Sequence, residues 1–107
     1  MEGSETAGQE RLVDLLEYQK SSIVSREIIG RQTGTITLFA FDKGQGLSPH
    51  SAPFDAFVYL AEGRAEVAIE DERHVLADGD MIVMPAHRQH AIKALEPFKM
   101  LLVMIRS

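Results

Sequence analysis

The chain has no cysteine and no tryptophan in its 107 residues. Without thiols there can be no disulfide framework, thiolate nucleophile or cysteine-type zinc site, and such a composition suits a reducing cytoplasm. Also missing is any apolar run near the roughly 20 residues that cross a bilayer. Met1–Glu10 has neither the basic nor the apolar region of a secretory leader. The expected location is the cytoplasm, away from membranes. Basic residues are scarce and unclustered: 11 Lys and Arg stand against 16 Asp and Glu, a net charge of −5. A polyphosphate backbone would be repelled, so nucleic acid is not an expected partner. What remains is 45% hydrophobic and 25% charged, an ordinary globular composition in a chain sized for one core.

Met1–Gln9 is small and polar, and it reads as a frayed tail. Arg11–Tyr18 places Leu12, Leu15 and Leu16 at helical spacing, which predicts one short amphipathic helix. Residues 1–22 are therefore read as flexible tail plus helix, and 23–107 as the folded barrel. From Ile23 the apolar period shortens to two. Thr35–Phe41, Phe57–Leu60, Ala65–Ile69, His74–Leu76, Met81–Met84, His90–Ala94 and Met100–Ile105 read as short strands. Glu70–Arg73 and Asp78–Asp80 read as turns, and Pro85 stops the Met81 strand. Many short strands punctuated by Gly and Pro predict an all-β sandwich or barrel.

Two segments carry more than fold information. The first runs from Gly44 through His50 and Ala52-Pro53-Phe54-Asp55-Ala56 to Gly63; the second runs from Gly79 through Pro85 and His87 to His90. Together they resemble the two conserved motifs of small single-domain cupins, written G-x5-H-x-H-x3-E-x6-G and G-x5-P-x-G-x2-H-x3-N. Gly44, His50 and Gly63 match the first; Gly79, Pro85 and His90 match the second. The resemblance implies an all-β double-stranded β-helix, a jelly-roll-like barrel with one short N-terminal helix. It also implies a metal site inside the barrel, built from two histidines of the first motif, its Glu or Gln, and the histidine of the second.

This chain departs from that pattern at the ligands. Ala52 stands at the second histidine and Ala56 at the carboxylate, and a methyl group cannot bind a metal. His87 stands at the second motif's inner glycine, whereas Asp55 corresponds to the residue before the ligand and is expected to face outward. The pocket read from the resemblance is thus His50, Ala52, Ala56 and His90. Candidate metal ligands are His50 and His90, with His87 as the third, and two imidazoles alone hold a divalent ion weakly. Two readings follow: a module binding a small organic or anionic ligand in the barrel, or a metal-dependent isomerase, lyase or dioxygenase with a non-standard ligand set. Met81, Met84, Met100 and Met104 read as core that doubles as pocket wall. Phe57 and Tyr59, on the opposite parity, suggest a surface to bury, and small cupins commonly pair as homodimers.

Overall fold

The computed structural model describes residues 8–106. The tail expected over Met1–Gln9 thus lies almost entirely outside the described residues. Nine strands follow in chain order: β1 Ile23–Arg31, β2 Gly34–Phe41, β3 Gly46–His50, β4 Ala56–Glu62, β5 Arg64–Ile69, β6 Glu72–Ala77, β7 Met81–Met84, β8 His90–Ala94 and β9 Phe98–Ile105. All pair antiparallel, in a five-stranded sheet of order β1-β2-β9-β4-β7 and a four-stranded sheet of order β3-β8-β5-β6. This is the all-β jelly-roll architecture expected from the strand spacing.

Strand parity decides what lies between the sheets. The register aligns Phe41 with Phe98, Phe39 with Met100, and Leu102 with Val58. These share the inner face, because alternate residues of a strand point the same way. The four-stranded sheet answers with Ala65, Val67, Ile69, Leu76, Ile92 and Ala94, all buried. Phe41 and Phe98 stack with centroids 4.5 Å apart at one end of this core. The opposite end is less filled, and that end holds the site.

The N-terminal helix is a single 3-10 turn, Leu12–Asp14. Leu12, Leu15 and Leu16 are half-buried, as their spacing predicts, but the helix does not extend through Tyr18. Its Arg11 N-cap makes no side-chain capping bond, and a free segment this short does not sustain a helix. The sheet offers better partners: Lys99 Nζ donates to the Val13 carbonyl, and Tyr18 OH donates to Glu62 Oε2 at 2.7 Å. The first of these occupies a carbonyl that a continuing helix would need. No helix among the described residues is long and apolar enough to cross a membrane.

Candidate functional site

The site lies where β3 and β8 run together near the link from β3 to β4. His50 is the last residue of β3 and pairs in register with His90, the first of β8. Their Nε2 atoms are 3.2 Å apart, with the rings edge-on at 73°. His50 Nδ1 lies 2.9 Å from the Ser48 carbonyl, which can only accept, so Nδ1 carries hydrogen there. In neutral His50 the Nε2 atom is then a bare lone pair. With both rings neutral, the 3.2 Å contact is a hydrogen bond only when His90 Nε2 carries the hydrogen, which leaves His90 Nδ1 bare as well. That atom is buried and has no hydrogen-bond partner. Burial, and after it the charge of His50, hold the His90 imidazole below its ordinary value, against an opposing pull from the Arg88 backbone.

These two rings are the polar lining of a cavity of about 430 Å³. The rest is apolar: Phe39 from β2, Met84 from β7, and Met100, Leu102 and Met104 from β9, with Leu47, Phe54 and Ile92 completing it. Ala52 and Ala56 line the same cavity, so His50, Ala52, Ala56 and His90 are grouped there. Ala56 is cross-strand partner to both Met84 and Met104. Two thioether side chains therefore flank the place where the family motif carries a carboxylate.

Ala52 does not reach the cavity on a strand. β3 ends at His50, after a register irregularity, and Ala52 sits in the link to β4. It is held there by its carbonyl, which accepts from the His87 N–H at 2.7 Å. A second tie joins the same two loops, Ala86 N–H to Asp55 Oδ1 at 2.8 Å. Asp55 is exposed and serves as this clasp.

His87 is not brought to the pair. It is exposed and does not line the cavity. Its backbone is left-handed, with φ of 66°, which explains why the family motif carries glycine there. Among the described residues no three of His, Cys, Asp and Glu gather as a metal would require. The two facing Nε2 atoms could reach one ion, but no other side chain in the lining offers oxygen or nitrogen to a divalent metal. The donor set does not fit the hard divalent centre that the motif implies.

Motif reasoning located the polar pair and the alanines. Of the four methionines read as pocket wall, Met84, Met100 and Met104 line the cavity, whereas Phe39, Leu47, Phe54, Ile92 and Leu102 were not assigned. Parity would have found Leu102 as well: Met100, Leu102 and Met104 alternate along β9, and Met84 shares its inner parity with Ile82. Met81 has the other parity and is 49% exposed, so it belongs to the outer face.

The comparisons with known proteins agree with this architecture. A family model described as "Cupin domain" matches residues 37–105. A conserved Streptococcus pyogenes protein of unknown function is 39% identical, covering 95% of this chain and 90% of that one with a TM-score of 0.91. A cupin superfamily protein from Desulfitobacterium hafniense is 28% identical over 94% of both chains, with a TM-score of 0.88. KdgF from Halomonas sp. is 28% identical, covering 88% of this chain and 92% of that one with a TM-score of 0.73. No curated protein matches. The match spans both motifs, from β2 to the end of β9, and the chain belongs to the cupin family.

Proposed function

We propose that this cupin is a binding module that holds a small, largely apolar organic molecule in the barrel, with His50 and His90 as its polar contacts. The observation that carries this reading is the lining. An apolar cavity of about 430 Å³ with a few convergent polar groups is the usual form of a small-molecule site. The metal-dependent alternative, an isomerase, lyase or dioxygenase using His50 and His90, has only two imidazoles from which to build its centre. Ala52 and Ala56 stand where the other two ligands would be, and His87 is turned to solvent.

The methionines provide the test. Protein labelled with ¹³C at the methionine methyls is titrated with p-xylene and p-cresol at millimolar concentration and followed by NMR. Met84, Met100 and Met104 line the cavity, and their methyl signals are expected to shift together. Met81, exposed on the outer face, is the internal control and should not move. Signals that stay still for every probe, or shifts at Met81 alone, would overturn the reading.

A further inference from the structure

We infer that the molecule this cavity selects carries a single hydroxyl group, as an alcohol or phenol does, on an otherwise apolar body. The inference rests on the binding reading above and adds the chemical class of the ligand. It follows from the hydrogen positions in the histidine pair. His50 donates from Nδ1 to the Ser48 carbonyl, so its Nε2 is an acceptor; His90 Nε2, 3.2 Å away, is the donor. The cavity thus presents one acceptor and one donor side by side, and its other lining side chains offer only carbon and thioether sulfur.

A hydroxyl oxygen is the smallest group that answers both, since it donates one hydrogen and accepts another at the same atom. It would take the hydrogen of His90 Nε2 and give its own to His50 Nε2, replacing one hydrogen bond with two. An ether or ketone can only accept, and an ammonium can only donate, so each leaves one imidazole nitrogen without a partner. A hydrocarbon leaves the pair bonded to itself. The pair can open on one side: His50 is exposed at the end of β3, whereas His90 is 5% exposed and packed in β8. His90 is therefore the fixed donor and His50 the acceptor that swings to admit the oxygen. Fixed polar groups in an apolar pocket discriminate chiefly by leaving the wrong ligand's partners unpaired.

The test compares three probes of nearly one shape: p-cresol, p-xylene and 4-methylanisole, titrated calorimetrically and by the methionine methyl shifts. The inference predicts that p-cresol binds at least about tenfold tighter than either of the others. His90→Phe and His50→Phe should erase that preference while p-xylene still shifts Met84, Met100 and Met104. If all three probes bind the wild type equally, the cavity reading stands and the hydroxyl inference falls. If p-cresol keeps its advantage in both variants, its oxygen is not bonded to this pair and the inference falls too. If no probe moves the three methionines, the cavity reading fails, and the inference with it.

Discussion

Replacing His90 by phenylalanine should make the protein more stable, and the size of the effect can be worked from the site. His90 Nδ1 is a buried acceptor with no partner, a condition that costs about 1–3 kcal/mol. Phenylalanine removes that cost. It also removes the 3.2 Å contact to His50, worth about 1 kcal/mol, but His50 is exposed and recovers much of this from water. The larger ring has room, because position 90 borders a cavity of about 430 Å³. The balance is a gain of about 1 kcal/mol, equivalent to about 4 °C in a domain of this size. Urea unfolding of both proteins at pH 8, with equal m-values, measures it; His90→Leu, a smaller side chain, guards against a clash of the ring and should be near neutral. A loss of more than about 1 kcal/mol in both variants would refute the reasoning, since it would mean that Nδ1 is satisfied in the folded protein.

The same histidine predicts a pH dependence. Its value lies below 6.5 in the folded protein, so the unfolded chain takes up that proton first. Its contribution to stability is complete above about pH 7.5, falls as pH drops through 6.5, and levels off below the depressed folded value; urea midpoints at stepped pH should show this loss in wild type and a smaller one in His90→Phe. Two glycines should respond differently to alanine. At Gly63, φ is 103° and a Cβ would meet the Pro97 carbonyl oxygen at 2.2 Å, whereas at Gly79, φ is 88° and nothing lies within 4 Å. Gly63→Ala should cost about 3 kcal/mol or more and Gly79→Ala about 1 kcal/mol by urea unfolding, and equal costs would contradict the assigned contacts. The outer face of the five-stranded sheet carries an apolar row across every strand, Ile29, Ile36, Val103, Phe57 and Val83. A second copy is the expected occupant, because a continuous apolar sheet face is self-complementary about a two-fold axis. Light scattering should give twice the chain mass of 11.9 kDa, and a monomer at high micromolar concentration would contradict this.

Much of this was legible from residue order, for identifiable reasons. β7 was read as Met81–Met84, its observed bounds, because Gly79-Asp80 and Pro85 close it on both sides. β1 was less distinct, since Ser25, Arg26 and Glu27 dilute its apolar pattern and a bulge between Glu27 and Ile29 breaks its period. The short N-terminal helix is present, but as one 3-10 turn, Leu12–Asp14, rather than through Tyr18. Leucine spacing cannot show that Lys99, 86 residues away, takes a helix carbonyl. At the site, the motifs led to His50 and His90, but pairing by motif says nothing of which nitrogen carries hydrogen. That came from the Ser48 carbonyl, a backbone group invisible to side-chain reasoning. Ala52 was grouped with the site through the motif resemblance, which does not say how it gets there; the fold holds it through a loop tie to His87.

A barrel that keeps its shape while an apolar cavity with a histidine pair stands where the motif calls for a metal centre should hold divalent ions poorly. Calorimetric titration of Mn²⁺, Ni²⁺ and Zn²⁺ into untagged wild type and the Ala52→His, Ala56→Glu double variant tests it most directly. With His50 and His90 the variant regains four ligands, and its affinity should exceed that of wild type by at least about a hundredfold. Wild type should bind each ion only weakly. One equivalent bound by wild type at submicromolar affinity would contradict the account, and so would a folded double variant that binds no better than wild type.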